Sequence, residues 1–255
     1  MNRHIWQRDF LENQTIKWPC PACHAAKLIL EKRTLNTGET SQSLNEHREA
    51  GWEPGWIEGR FTCFLKCHEC LEDVAVAGRY SVEEWGNDEL RQVEHMHRFE
   101  PLFFMQAPPI IQLPKKLPLD IQKEIEASFQ LYWVDLASCA NRIRSSVEML
   151  LTDLGVKRTI VSNRRRRDLN LHNRIEIFRD VNSMLADALL AVKWIGNAGS
   201  HSNALDEKDI LDGYEMLEYV LEELFDQRSK RMANLARQIN KAKKPRSAIR
   251  ILRSR

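Results

Sequence analysis

The sequence predicts an α+β protein, with a small metal-clipped β region in its N-terminal half and an all-α helical bundle in its C-terminal half. Residues 1–100 contain short β-like runs interrupted by cysteine and tryptophan, whereas apolar residues recur at helical spacing from residue 119 onward. Five prolines lie between the two zones. We therefore predict a β domain at 1–100, a proline-rich linker at 101–118, a bundle at 119–242 and a basic tail at 243–255.

The composition is that of an ordinary globular protein. Of the 255 residues, 43% are hydrophobic and 29% are charged, which argues against wholesale disorder. The longest uncharged stretch, Pro101 to Pro114, contains four prolines and is too short to span a bilayer. The N-terminus also lacks the apolar run of a secretory signal. We expect a cytoplasmic protein without a membrane partner, in which thiols stay reduced.

Two Cys-x-x-Cys pairs predict a metal site. The pairs are Cys20 with Cys23 and Cys67 with Cys70, and a β-like run follows each of them. Two thiolates at this spacing on a tight turn can reach one Zn²⁺, and two such turns complete its tetrahedron. The sequence therefore predicts a zinc ribbon with structural Zn²⁺. Its 43-residue separation between pairs, longer than usual, indicates an insertion.

Other interpretations of these cysteines remain open. They can be unrelated buried residues, although two pairs of identical spacing disfavour this. A redox Cys-x-x-Cys is disfavoured because neither pair lies in a βαβ pattern. Cys63 is an alternative ligand. Four thiolates would leave no open coordination position, so the predicted site is structural and not catalytic.

The helical zone shows five apolar stripes. The first two run through Ile121 to Tyr132 and Leu136 to Leu154, and Gly155 stands where the second helix ends. Two shorter stripes follow. The last stripe runs from Ile210 to Ile239. It predicts a long last helix from Asp206 to about Lys241, on the order of 50 Å if it is unbroken.

Two short segments concentrate positive charge. Residues 157–167 contain six bases and residues 241–255 contain seven, and neither segment contains an acid. Such clusters are typical of polyanion-binding surfaces, although solvated loops and tails are the commoner explanation. The candidate nucleic-acid-binding residues are Arg164, Arg165, Arg166, Arg167, Lys193, Lys243, Lys244 and Arg246.

A polar centre is predicted at the end of the fourth helix, in the run KWIGNAGSH from Lys193 to His201. Asn197 and His201 are four residues apart and share a face if the helix persists. The second helix offers charged partners for this pair, namely Arg142, Arg144 and Glu148. Histidine is suited to general acid–base catalysis, so His201 and Asn197 are candidate catalytic residues. A helix end with a locally packed histidine is the alternative.

The C-terminal zone resembles a known family on the runs CANRIRSSVEMLLTDLG, LNLHNRIEIF and VKWIGNAGSH. Over roughly residues 118–228 it is similar to the bacterial "domain of unknown function 4145" family, which looks like a branch of the HEPN superfamily. The resemblance implies a HEPN-like helical bundle that dimerises. It also implies a role in prokaryotic defence, in which many relatives are metal-independent endoribonucleases. Gly196 occupies the place of the arginine in the nuclease motif.

Three functions follow as expectations. The first is a zinc-binding, HEPN-like module that binds RNA or DNA, or a partner protein, in a prokaryotic defence system. The second is an endoribonuclease that uses His201. The third is a scaffold or regulator that assembles through the long last helix, and a homodimer through the helical bundle accompanies any of the three.

Overall fold

The computed structural model describes residues 2–87, 92–162, 165–201 and 205–243. For residues 85–87, 92–94, 162 and 199–201 it describes the backbone only. The chain forms an α+β protein, as predicted, with a curled antiparallel sheet followed by a helical region.

The N-terminal half is built on a six-stranded antiparallel sheet. The strand order is β1-β6-β5-β4-β2, and β3 also pairs with β4. A short helix, α1 (Ser41–Glu46), lies between β3 and β4. The strands are β1 (Phe10–Leu11), β2 (Leu28–Leu30), β3 (Asn36–Glu39), β4 (Glu58–Cys67), β5 (Asp73–Asn87) and β6 (Gln92–Phe104).

Strand β4 organises this sheet. From Gly59 to Cys67 every second residue is buried, which is the period expected of a strand with one face on the core. The predicted insertion between the cysteine pairs therefore supplies β3, α1 and most of β4. Its apolar face is Phe61, Cys63 and Leu65.

Strand β6 extends through Pro101 to Phe104, so the first four residues of the predicted linker belong to the sheet and that part of the prediction is wrong. Pro101 lies opposite Gly78, at a break in register between Ala77 and Gly78. A proline is tolerated at such an irregularity because a regular ladder bond is already missing. Gly78 is required there, since a Cβ would lie 2.0 Å from the Glu100 carbonyl oxygen.

The helical half contains six longer helices among the described residues. The apolar stripes predicted for the first two helices are buried except at the ends of the second, where Leu136 is half-buried and Leu154 is exposed, and Gly155 follows with φ +76°. The helices are α2 (Leu119–Val134), α3 (Leu136–Asp153), α4 (Leu171–Arg179), α5 (Ser183–His201), α6 (Glu207–Leu221) and α7 (Arg228–Ala242).

Two expectations for this half are corrected. It is not all-α, because a β-hairpin of β7 (Thr159–Ser162) and β8 (Arg165–Asp168) joins α3 to α4. The last helix is not continuous. A π-helical turn follows α6, and Gln227 then adopts a left-handed conformation (φ 48°), which an α-helix cannot contain. Apolar residues recur at helical spacing on both sides of Gln227, so the periodicity gave no indication of the break.

The two halves share one hydrophobic core. Trp18 of the N-terminal half packs edge-on against Trp133 of α2, with ring centroids 4.7 Å apart. Phe104 lies at the same distance from Trp133. The Tyr132 hydroxyl donates to the Trp6 carbonyl oxygen at 2.7 Å. We therefore expect the sheet and the helices to unfold together, because this aromatic contact joins them.

No helix among the described residues is both long enough and apolar enough to cross a bilayer.

Candidate metal centre and nucleic-acid interface

The four predicted cysteines meet at one corner of the sheet. β2 and β4 pair with Leu28 opposite Cys67, which brings the turn before β2 beside the turn after β4. Cys20 and Cys70 sulfurs lie 3.7 Å apart, as do those of Cys23 and Cys67. All four sulfur atoms lie within 4.8 Å of one another.

This arrangement fits a tetrahedral metal ion. Four sulfurs at about 2.3 Å from a Zn²⁺ would be about 3.8 Å from each other, close to the two observed separations. The same separations are too long for a disulfide, whose sulfurs are about 2.05 Å apart. The cluster can therefore hold one metal ion, as the spacing predicted.

The two turns have the same backbone design. His24 and Leu71, each following the second cysteine of its pair, are left-handed with φ of 58° and 63°. His24 N–H donates to the Cys20 carbonyl at 3.0 Å, and Leu71 N–H donates to that of Cys67 at 3.1 Å. The two turns thereby bring all four sulfurs to the same corner of the sheet.

Backbone groups and neighbouring thiols act on the ionisation of the cluster. The N–H groups of Ala25 and Ala26 lower the pKa of Cys23 to about 6. The Glu72 N–H lowers that of Cys70, but desolvation and the other thiols outweigh it and raise the pKa of Cys70 to about 12. A cation is what would let four thiolates coexist here, since like charges this close oppose ionisation.

Cys63 lies outside this cluster. It is in β4, four residues before Cys67, and four residues of a strand span about 13 Å. Its side chain faces the core, where burial raises its pKa to about 12. Among the described residues, the metal-ligand group consists of Cys20, Cys23, Cys67 and Cys70.

The predicted basic segment at 157–167 forms most of the β7–β8 hairpin. Arg165, Arg166 and Arg167 occupy consecutive positions of β8, and all three are exposed. Among the described residues, no carboxylate lies within ion-pair distance of these three guanidinium groups. Val161 on β7 is 77% exposed. The hairpin therefore presents an uncompensated basic edge to solvent.

Arg174 fixes the helix end from which the hairpin emerges. This residue of α4 is buried, and its guanidinium donates to the Glu148 carbonyl at 3.0 Å and the Thr152 hydroxyl at 2.8 Å, near the end of α3. Burial lowers the pKa of Arg174 from its usual value. Sequence reasoning missed this residue because an arginine on an amphipathic helix resembles a solvated one.

Of the other predicted phosphate-binding bases, Lys193 and Lys243 lie in the described part of the chain. Lys193 is only 8% exposed, and its ammonium lies 3.2 Å from the centroid of the Trp194 ring, which leaves little of it available to a phosphate. Lys243 follows α7. Arg164, Lys244 and Arg246 lie outside the described residues.

One close contact between α5 and α3 falls within the predicted polar centre. It is at Gly196, where an added Cβ would lie 2.5 Å from the Arg144 Cβ. Arg144 pairs with Glu148 at 3.0 Å, one turn along α3, and its Nε is buried without a hydrogen-bond partner among the described residues. Asn197 follows Gly196 directly, whereas the side chain of His201 lies outside the described part of the chain.

Arg142 does not join that centre. Its guanidinium pairs with Glu124 of α2 at 2.7 Å. Residues two apart on a helix point in different directions, so Arg142 and Arg144 contact different neighbours. Of the two arginines proposed from sequence, the structure brings only Arg144 to α5.

Comparison with known proteins gives two family matches and supplies no activity. Residues 8–104 match the model of a domain of unknown function, DUF8608. Residues 126–243 match that of a second domain of unknown function, DUF4145, which confirms the resemblance predicted for the helical half. No curated protein and no solved structure matches the chain.

Proposed function

We propose that this protein is a zinc-stabilised nucleic-acid-binding module, in which the β7–β8 hairpin contacts the phosphate backbone of RNA or DNA. The observation that carries the proposal is the exposed run Arg165–Arg167 on a two-stranded ribbon without acidic partners. Guanidinium groups bind phosphate bidentately, and a two-stranded β-ribbon fits the major groove of duplex DNA.

The proposed metal is Zn²⁺ in a purely structural role at a ribbon-like corner of the sheet. Tetrahedral thiolate sites hold zinc or iron, and zinc is the usual metal of structural four-cysteine sites built from paired Cys-x-x-Cys turns. Because Cys20 and Cys67 are fully buried and four thiolates close the coordination sphere, no position remains for a substrate. Nucleic-acid binding is therefore assigned to the helical half, within a prokaryotic defence system as its family resemblance implies.

The test is equilibrium binding to a fluorescent mixed-sequence RNA and to a duplex DNA between 50 and 200 mM salt. Replacing Arg165, Arg166 and Arg167 with Gln should weaken binding by at least about 30-fold and reduce the log–log salt slope by about 2 to 3. The matched control removes the same charge from exposed bases elsewhere, as Arg33→Gln, Lys115→Gln and Lys116→Gln. Binding equal to wild type by the hairpin variant would place the interface elsewhere, and no binding by wild type would overturn the proposal.

A second candidate function is metal-independent RNA cleavage. It is favoured by the contact between Gly196 and Arg144, which supplies from α3 the arginine that the α5 run lacks. In this mechanism His201 acts as general acid or base, while Asn197 and Arg144 stabilise charge that develops on the phosphate.

Cleavage of a mixed RNA pool in EDTA tests this candidate. His201→Ala and Arg144→Gln should each lower the rate at least about 100-fold, and Arg142→Gln, two residues along α3, is the control. Equal cleavage by wild type and His201→Ala would remove the enzymatic function while leaving nucleic-acid binding intact.

A further inference from the structure

A polar cavity of about 620 Å³ lies at the junction of the two halves. Its lining includes none of the residues of the cysteine cluster or of the β7–β8 hairpin. The strands β4, β5 and β6 form one wall, and Arg8 and the first residue of α6, Glu207, form another. Small-molecule sites commonly have volumes of about 300–1,000 Å³. The cavity is therefore large enough for a metabolite-sized ligand.

Two arginines lie side by side on the wall that the strands form. Arg60 of β4 and Arg79 of β5 are directly paired in the antiparallel register, and both line the cavity. Side chains at such positions have Cβ atoms about 4.5–5.5 Å apart, and like charges there destabilise the sheet. A bound anion between the two guanidinium groups would offset their mutual repulsion.

Protein groups supply only part of that neutralisation. Arg79 approaches the Glu100 carboxylate at 3.8 Å. Among the described residues, Arg60 has no carboxylate within 4 Å, and its guanidinium donates only to the Gly59 carbonyl at 2.9 Å. The other two arginines of the lining are already engaged, Arg8 with Glu207 at 3.7 Å and Arg98 with Asp9 at 2.6 Å. Arg60 is therefore the lining arginine without a carboxylate partner among the described residues, in a lining that carries four arginines and four carboxylates.

The rest of the lining offers acceptors and a rigid floor. Glu58 has no ion-pair partner among the described residues, and Glu207 stands on the opposite wall. Carboxylates accept hydrogen bonds from hydroxyl groups. Tyr80 is held by stacking on His97 and by a 2.9 Å hydrogen bond between its hydroxyl and His97 Nδ1, and Gly59 lets the backbone approach the Tyr80 ring.

We infer that this cavity binds a phosphorylated sugar, either free or as part of a mononucleotide. Arg60 and Arg79 hold the phosphate as a pair of guanidinium donors, and Glu58 and Glu207 accept from the sugar hydroxyls. Because the walls come from both halves of the chain, the bound ligand also fastens the sheet to α6 and raises the stability of the whole protein.

Calorimetric titration of the full-length, metal-loaded protein tests the inference with inorganic pyrophosphate, ribose 5-phosphate and AMP as probes. Ribose 5-phosphate or AMP should bind, and should bind at least about 10-fold more tightly than pyrophosphate because the sugar adds hydrogen bonds to Glu58 and Glu207. Arg60→Gln and Arg79→Gln should each raise the Kd at least about 10-fold, whereas Arg33→Gln should leave it within about twofold.

A second measurement separates lost contacts from lost folding. Without ligand, Arg60→Gln should melt about 1–3 °C above wild type, since it removes the like-charge pair. The variant in which Arg165, Arg166 and Arg167 are replaced with Gln should bind the probes as wild type does, which would show that the cavity and the hairpin are separate sites. Failure of all three probes to bind at millimolar concentration, or equal weakening by Arg33→Gln, would overturn the inference. Pyrophosphate binding as tight as that of ribose 5-phosphate would overturn the assignment of a sugar.

Discussion

The cysteine corner and the arginine hairpin are both built around turns of antiparallel strands, yet they are attached to the molecule in opposite ways. Cys20 and Cys67 are fully buried, and two residues before Cys20 lies Trp18, a central side chain of the shared core. The four residues of β8 are all exposed. Substitutions at the corner should therefore change stability, and substitutions at the hairpin should change binding alone.

Loss of the metal should have the largest effect. Cys67→Ser should abolish stoichiometric zinc and unfold the N-terminal sheet, because structural zinc contributes about 10–16 kcal/mol of apparent binding energy in small zinc peptides. Since Trp18 packs on Trp133, we expect the melting temperature of the helical half to fall as well. Elemental analysis and circular dichroism at 222 nm measure the two effects.

The buried thiol of Cys63 provides the control for that experiment. Cys63→Ala should retain one zinc per chain, because Cys63 lies four residues of strand from Cys67 and is not among the four clustered cysteines. Bound zinc in Cys67→Ser, or lost zinc in Cys63→Ala, would contradict the assignment of the ligands. Unchanged melting of the helices in Cys67→Ser would show that the two halves fold independently.

Removal of the aromatic contact between the halves should have the next largest effect. Trp133→Ala should lower the free energy of unfolding by about 3–5 kcal/mol, the usual cost of deleting a fully buried aromatic side chain. Chemical denaturation followed by fluorescence and circular dichroism gives this value. Trp194→Ala is the comparison, since that ring is 58% exposed, and a similar loss there would mean that core packing is not the cause.

A pair of glycines tests the packing of α5 on α3. Gly196→Ala should destabilise the protein by about 1–3 kcal/mol, because the new Cβ would lie 2.5 Å from the Arg144 Cβ and 3.1 Å from the Ala140 carbonyl oxygen. At Gly213 of α6 the nearest atom, in the Ile195 side chain, is 3.6 Å away. Gly213→Ala should therefore stabilise by up to about 1 kcal/mol through helix propensity. Thermal melts of both variants measure these changes in stability. Changes of the same sign in the two variants would refute this packing.

The smallest effect on stability belongs to the hairpin. Replacement of Arg165, Arg166 and Arg167 with Gln should change the free energy of unfolding by no more than about 0.5 kcal/mol, as is usual for exposed positions. The same urea titration used for the core variants measures it. A loss of several kcal/mol would mean that the hairpin is a structural element and would end the contrast with the cysteine corner.

Local patterns predicted much of the fold. The spacing of the apolar residues identified α2 and α3, because helical periodicity is imposed by burial of one face. The β-hairpin was missed, although Thr159 to Val161 are β-branched, because the neighbouring charge run resembled a solvated loop. The break at Gln227 was missed because a single left-handed residue leaves the apolar spacing on both sides unchanged.

The sequence itself determined the candidate metal site, because the ligands of each pair are close together along the chain. Two Cys-x-x-Cys turns specify a four-sulfur cluster because the geometry within each turn is local, and only the pairing of β2 with β4 was needed to join them.

Only the tertiary structure decided which distant charges meet. It separated Arg142 from Arg144, buried Lys193 and Arg174, and set Arg60 opposite Arg79 at the rim of a cavity between the halves. The physical reason is that the residue type of an arginine or lysine does not determine whether its side chain is exposed or buried. Their difference arises from strand register and helix packing, which involve residues far apart along the chain.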